Sequence, residues 1–233
     1  MKLFFRKAGA GEPLVILHGL YGSSDNWMGI ARKLADHFTV WSPDLRNHGL
    51  SPHHPVHTYQ AMKDDLAEFF DGHIPGKASL LGHSMGGKVA MWFAADYPEK
   101  VNNLIVADIA PKNYFLLEDE SQYHLHRNIL MALQEPGLTA VSDRRELEER
   151  LSERIDRKEV VQFLVKNSRY NRENRRMEWK INVEALSDNL EEIVEGVNPR
   201  WFEDRIPLTA YPVTFIRGME SKYIQDEDIP EIR

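Results

Sequence analysis

A mostly parallel α/β sheet flanked by helices, with a helical cap inserted late in the chain, is the fold this sequence predicts. Three observations predict it. Short apolar runs alternate with amphipathic stretches of helical period as far as Pro111, the rhythm of a parallel sheet covered on both faces. The runs end in loops rich in Gly, Pro or Asn, where an open α/β sheet builds its site. The alternation then gives way to a charged, helix-patterned block from Asn113 to about Glu195, and one apolar run returns at Val213.

Taken in order, Leu3 to Phe5 reads as a short opening strand, and Gly9-Ala10-Gly11-Glu12-Pro13 as a turn. Leu14 to Leu17 is an apolar strand ending at His18-Gly19-Leu20-Tyr21-Gly22-Ser23-Ser24. Asp25 to His37 is amphipathic at helical spacing, with Trp27, Ile30, Leu34 and Phe38 on one side. Phe38 to Trp41 is the next strand, and Tyr59 to Phe70 a helix with Met62, Leu66 and Phe70 spaced four apart. Ala78 to Leu81 reads as a buried strand, Met85 to Tyr97 as a buried helix and Val101 to Asp108 as a further strand. In the charged block Leu147, Leu151 and Ile155 form one apolar stripe and Leu186, Leu190 and Ile193 another, with Met177-Trp179-Ile181 the one alternating stretch. Val213 to Ile216 returns as a strand, and Gln225 to Arg233 reads as a helix just begun. The expected division is a core of residues 1–111 and 206–233 around a cap of residues 112–205.

Composition narrows the function classes. A chain of 233 residues makes one large domain, or one domain with an insertion, and buries roughly 70–75% of its unfolded surface. A net charge of −7 argues against nucleic acid, since there is no cationic excess to neutralise phosphates. The absence of cysteine excludes disulfides and thiolate metal sites. The start, Met1-Lys2-Leu3-Phe4-Phe5-Arg6-Lys7, is charged too early for a signal peptide, and no apolar run nears the ~20 residues of a membrane span. A soluble, cytoplasmic protein without a membrane partner is expected.

Ser84 stands between the strand Ala78–Leu81 and the helix that follows, with Gly82 and Gly86 two residues to either side. This G-x-S-x-G turn forces a strained backbone and lifts the hydroxyl clear of the strand. It also puts the Met85 N–H at the positive end of a helix. An acyl-transfer centre needs two N–H donors aimed at its oxyanion. Met85 supplies one, and Leu20, directly behind His18-Gly19, the other. A rival pattern overlaps: Gly82, Gly87 and Lys88 fit G-x-x-x-x-G-K, the start of a phosphate-binding loop, and Asp108 ends an apolar strand as a magnesium ligand would. The rival fails on three counts. Val89 stands where Ser or Thr should hold magnesium, the motif lies behind two βα units, and Ser84 and the His18-Gly19 loop are left without purpose.

Four motifs in order, His18-Gly19-Leu20-Tyr21-Gly22-Ser23, Asp44-Leu45-Arg46-Asn47-His48-Gly49-Leu50-Ser51, Gly82-His83-Ser84-Met85-Gly86-Gly87-Lys88 and Asp108-Ile109-Ala110-Pro111, make the chain resemble the α/β-hydrolase superfamily. Within it the chain is most similar to YbfF-type esterases and their abhydrolase-domain relatives, from about residue 1 to residue 224. The resemblance implies a serine hydrolase of carboxylic esters or acyl thioesters with short to medium acyl chains. Ser84 is then the nucleophile, Leu20 and Met85 are the oxyanion donors, and no metal or organic cofactor is needed. It implies Asp108 as the acid, as in the YbfF-like group, with Glu220 the alternative where most of the superfamily has it. A catalytic histidine is expected in a Gly-His loop after one more strand, yet none follows His126. Three explanations compete: a C-terminal strand and helix missing from the chain, a base supplied by His124 or His126 from the cap, or a ligand-binding module that has lost its chemistry.

The remaining candidates each carry a plainer alternative. His18, Gly19, Tyr21 and His83 flank Ser84 and stand as substrate-binding residues, although His18, His83 and His48 equally suit holding loops. His53, His54 and His57 are close enough to suggest a metal, but in a Pro-rich loop surface exposure is the expectation. Arg169, Arg172, Arg175, Arg176 and Lys180 either receive coenzyme A phosphates or form a solvated face. Tyr21, Trp27, Tyr114 and Phe115 line an acyl pocket or pack the core. Asp108 read plainly is a turn cap, and Glu220 an exposed loop carboxylate.

Overall fold

The computed structural model describes residues 1–114, 121–195 and 210–232. Strands β1 (Phe5–Ala8), β2 (Glu12–Leu17), β3 (Phe38–Pro43), β4 (Ala78–His83), β5 (Val101–Ala107) and β8 (Val213–Ile216) form one sheet in the order β1-β3-β2-β4-β5-β8. Only β1 is antiparallel to its neighbour. Helices α1 (Ser24–Leu34), α2 (Tyr59–His73) and α3 (Met85–Asp96) cover it. β2 shows why its sequence is apolar without alternation: Val15 and Leu17 join the large core, while Leu14 and Ile16 pack with Trp27, Ala31 and Leu34 of α1. On α2 the four-residue spacing holds, with Met62, Leu66 and Phe70 all buried beneath the Thr58 N-cap.

Three expectations are corrected. The opening strand is Phe5–Ala8, not Leu3–Phe5, because register with β3 runs from Phe5↔Pro43 to Ala8↔Val40 while Leu3 turns into the core. The segment between β5 and β8 is not wholly helical. Besides α4 (Ser121–Leu133), α5 (Arg144–Ser152) and α6 (Lys158–Lys166) it carries the antiparallel hairpin β6 (Ser168–Asn171) and β7 (Arg176–Trp179). The stripe Leu186, Leu190, Ile193 is split between α7 (Val183–Asp188) and α8 (Leu190–Glu195). Asn189 ends α7 by spending its side chain elsewhere: Nδ2 donates to the Pro55 and Ala185 carbonyls, and Oδ1 accepts from the His57 N–H.

This interposed segment is fastened to the sheet side. The Asn182 N–H donates to the Asn47 carbonyl at 2.9 Å, and the Tyr59 hydroxyl to the Ile193 carbonyl at 2.9 Å. One continuous apolar cluster runs from Leu17, Leu66 and Phe93 through Leu130, Leu147 and Leu186. The return point expected at residues 205–206 lies outside the described residues, as does Phe115. Among the described residues, no helix is long and apolar enough to cross a membrane.

Candidate active site

β4 ends at His83 and α3 begins at Met85, so Ser84 alone makes the turn, at φ 53° and ψ −123°. Such a backbone costs a non-glycine residue on the order of 1–3 kcal/mol. The surroundings over-determine it. The Ser84 N–H donates to the Ala107 carbonyl at 3.0 Å, and its own carbonyl accepts from the Gly87 and Lys88 N–H groups at 2.8 and 3.2 Å. α3 also starts hard against the end of β2, where a Cβ on Gly86 would lie 2.5 Å from the His18 carbonyl oxygen and 2.7 Å from that of Leu17. On the other side, a Cβ on Gly19 would lie 3.1 Å from the Ser84 Cβ, so the loop after β2 is pressed against the serine. This is not a phosphate loop. Strand, one turn residue and helix occupy the whole interval from Gly82 to Lys88, leaving no loop to wrap a phosphate, and Val89 is fully buried.

Strain is concentrated at this end of the sheet. Of the five non-glycine residues with positive φ among those described, Tyr21, Asn47, Ser84 and Asp108 follow β2, β3, β4 and β5 in turn, and only Arg175 lies elsewhere. Asp108 leaves the strand next to that of Ser84, with His83 paired beside Ala107. Its N–H donates to the Ile216 carbonyl at 2.8 Å, and its Oδ1 accepts from the Gly218 N–H at 3.1 Å. Glu220, two residues beyond Gly218, is exposed and makes no hydrogen bond or ion pair with the described residues.

Leu20 and Met85 border the same cavity as Ser84, and neither N–H donates to another group among the described residues. The Leu20 loop is held by two buried histidines in a reciprocal clasp. His18 Nδ1 donates to the Gly19 carbonyl and its Nε2 accepts from the Leu45 N–H, both at 2.9 Å. His48 Nδ1 donates to the Arg46 carbonyl at 2.9 Å and its Nε2 accepts from the Tyr21 N–H at 3.2 Å. The pattern assigns the neutral Nδ1–H tautomer to both rings, and burial holds both pKa values below the ordinary histidine range. His57 extends the stack, its ring 5.4 Å from that of His48. The surface reading of His57 is corrected: it is fully buried, its Nε2 has no partner among the described residues, and burial, then Arg46, pushes its pKa down to about 3. His53 and His54 are exposed, and among the described residues no three His, Asp or Glu side chains converge as a metal site.

The cavity measures about 40 Å³, room for two or three waters. Leu20, Tyr59, Ser84, Met85 and Lys88 line it from the sheet side of the chain, and Tyr114, Gln122, His126, Ile193 and Val194 from the interposed segment. His18, Gly19, Tyr21 and His83 do not border it. They frame it from behind: the Tyr21 hydroxyl lies 3.3 Å from His126 Nδ1, and the His83 ring packs against Trp27. Tyr114 is the proposed aromatic that reaches the wall, while Tyr21 and Trp27 pack behind it. Arg169, Arg172, Arg175 and Arg176 are exposed on the β6–β7 hairpin, away from the cavity, and Lys180 pairs with Asp25 at 3.0 Å. Tyr59, Ile193 and His126 reach the wall from distant parts of the chain, with no local signal. Lys88 had one: it lies a helical turn beyond Ser84.

Comparison with known proteins agrees with this geometry. The family model described as alpha/beta hydrolase fold matches residues 12–131. The chain is 36% identical over 232 residues to the sn-1-specific diacylglycerol lipase ABHD11 of Danio rerio, covering 98% of this chain and 70% of that one. It is 33% identical over 216 residues to the esterase YbfF of Escherichia coli strain K12, covering 93% and 77%. A solved marine microorganism esterase superposes with a TM-score of 0.89 at 43% identity, covering 99% and 86%. With sheet order, turn and matched length in accord, the chain belongs to the α/β-hydrolase-fold family.

Proposed function

We propose that the protein is a serine hydrolase acting on carboxylic esters or acyl thioesters of short to medium chain length, with Ser84 as nucleophile. The single observation that carries this is Ser84 itself. A serine is held at φ 53° on a cavity wall shared with two unengaged amides. Relatives named as an esterase and a lipase support the reaction class. In this reading Ser84 Oγ attacks the carbonyl carbon, and its proton passes to a base. The oxyanion takes the Leu20 and Met85 N–H groups, each worth about 2.7–4 kcal/mol of barrier. The alcohol or thiol leaves with a proton, and water then releases the acid from the acyl-enzyme. Asp108 orients the base, the interposed segment is the cap, and the narrow cavity favours short acyl groups. The partner is a small ester or thioester and the setting the cytoplasm.

Proton transfer has two readings. The resemblance puts the histidine in a Gly-His loop downstream of β8, and residues 217–233 contain no histidine. One observation favours an internal base. His126 is on the cavity wall; burial pushes its pKa down to about 4, which leaves it neutral but a weak base near pH 7. Hydrolysis of p-nitrophenyl butyrate by the wild type, Ser84→Ala and His126→Gln decides between them. Ser84→Ala abolishes turnover and fluorophosphonate labelling, and equal rates rule Ser84 out. A base at His126 shows as a kcat loss of about 10²–10⁴-fold in His126→Gln, and a change in KM alone makes it a wall residue.

A further inference from the structure

Lys88 is the charged group on the cavity that this mechanism does not use. It is 2% exposed, lies one turn along α3 from Ser84 and borders the same cavity. An ammonium carries three N–H donors, yet among the described residues Lys88 Nζ has a single hydrogen bond, to the Lys112 carbonyl at 3.2 Å. Its other neighbours are ring faces, Tyr114 at 4.6 Å and Tyr59 at 5.8 Å. No carboxylate stands within ion-pair distance of it among the described residues. Burying a charge so poorly paired is costly unless something else satisfies it.

We propose that Lys88 anchors the far end of the acyl group: its ammonium receives a carboxylate carried by a short acyl chain whose ester carbon sits at Ser84. Resting on the serine reading, this names the substrate class as half-esters or half-thioesters of short dicarboxylic acids. The shared cavity agrees, since Ser84 and Lys88 both border it one helical turn apart, about 6 Å along the axis. So does the state of the amine. Burial pushes the Lys88 pKa down to about 7, with Glu195 acting against that shift and Lys112 with it. A bound carboxylate supplies the missing counter-charge and restores the ammonium. Water leaving as the ligand enters strengthens that pairing.

The test pairs monoethyl succinate with ethyl 4-methylpentanoate, which has nearly the same shape and no charge. Lys88→Met keeps the stem and removes the charge, and thermal unfolding confirms that it is folded. Its ratio of kcat/KM for the half-ester over the neutral ester falls roughly 10- to 100-fold, the worth of a charge-assisted hydrogen bond. An unchanged ratio in the folded variant overturns the inference. Should Lys88→Met unfold, the wild-type pH profile decides. The KM for the half-ester rises above about pH 7 as the amine loses its proton, while that for the neutral ester does not. Glu195 and Lys112 act on the amine through their charges, and the rings of Tyr59 and Tyr114 face it. Parallel profiles overturn the inference. Calorimetry of monoethyl succinate on Ser84→Ala separates this proposal from the serine reading. Binding that is lost on adding Lys88→Met upholds the anchor even if Ser84 proves not to be the nucleophile. Binding that is absent or insensitive to Lys88 overturns the anchor even if ester hydrolysis stands.

Discussion

The contact between the start of α3 and the end of β2 is tight enough to put a number on. In Gly86→Ala the new Cβ meets the His18 oxygen at 2.5 Å, the Leu17 oxygen at 2.7 Å and the Leu17 carbonyl carbon at 2.8 Å. Ordinary contact begins near 3.4 Å, so helix and strand must part by about 0.9 Å, and all three atoms are backbone. Overpacking of this kind costs about 1–3 kcal/mol, which for a chain of this size lowers Tm by roughly 2–12 °C. The catalytic effect is expected to be larger than the thermal one. The Met85 N–H lies one residue away, and a 1 Å misplacement costs about 10²-fold in rate. Gly29→Ala is the matched control: no atom lies within 4 Å of its Cβ, on the exposed side of α1. There the better helix propensity adds about 0.5–1 kcal/mol and leaves turnover alone. Differential scanning calorimetry and p-nitrophenyl butyrate kinetics on both variants check the argument. A Gly86→Ala protein with wild-type Tm and kcat/KM would mean the turn is not held by this contact.

Three further outcomes follow from the same geometry. Asp108→Asn keeps the shape but loses the orienting charge, so kcat falls about 10²–10⁴-fold, whereas Glu220→Gln stays near wild type; the reverse pattern in ester kinetics moves the acid to Glu220. His18, His48 and His57 have folded pKa values below the ordinary 6.5, His57 at about 3. Below pH 6.5 the unfolded chain therefore takes up protons that the folded chain refuses, and the stability present above that pH is lost as the pH falls toward 3. His57 alone accounts for about 2–3 kcal/mol between pH 7.5 and 4.5, read by urea unfolding. A slope unaffected by His57→Gln contradicts the burial argument. Tyr59→Phe strands the Ile193 carbonyl that its hydroxyl now satisfies at 2.9 Å, and costs about 1–2 kcal/mol in the same assay.

What was legible in the sequence was what short-range chemistry decides. The turn at Ser84 is written in Gly82 and Gly86 because only glycine tolerates the approaches a one-residue strand-to-helix turn requires. The buried strands β2, β4 and β5 stand out because parallel strands covered on both faces need no polar alternation. The β1 shift went unseen because register on an edge strand is set by its partner, and Leu3 is apolar for a different reason. The β6–β7 hairpin was hidden among charges because its outer face, including Arg169 and Arg176, faces solvent. His57 was misjudged because nothing in a Pro-rich loop announces that Asn189, over a hundred residues on, will cover it.

That contrast bears on how the protein divides its work. The groups proposed to react sit where the strain is held by backbone and loop contacts: Ser84 by Ala107 and Gly87, Asp108 by Ile216 and Gly218, the Leu20 loop by the His18–His48 clasp. Few side-chain changes elsewhere reach these atoms, so the chemistry is insulated from most substitutions. The other side of the cavity is assembled differently, from His126 on α4 and Ile193 and Val194 on α8, two helices of the interposed segment that pack on each other. Changes there alter the acyl pocket without touching the strained turns. Lys88 belongs to both halves. Its position follows from Ser84 by helical spacing, yet its surroundings, Tyr59 on α2 and Tyr114 at the entry to the segment, are tertiary. An ammonium at that junction makes selectivity for a charged acyl end depend on how the segment closes over α3. Substitutions at Tyr114 should therefore shift the preference between half-esters and neutral esters while leaving the rate of phosphonylation by a fluorophosphonate, which carries no such end, close to that of the wild type.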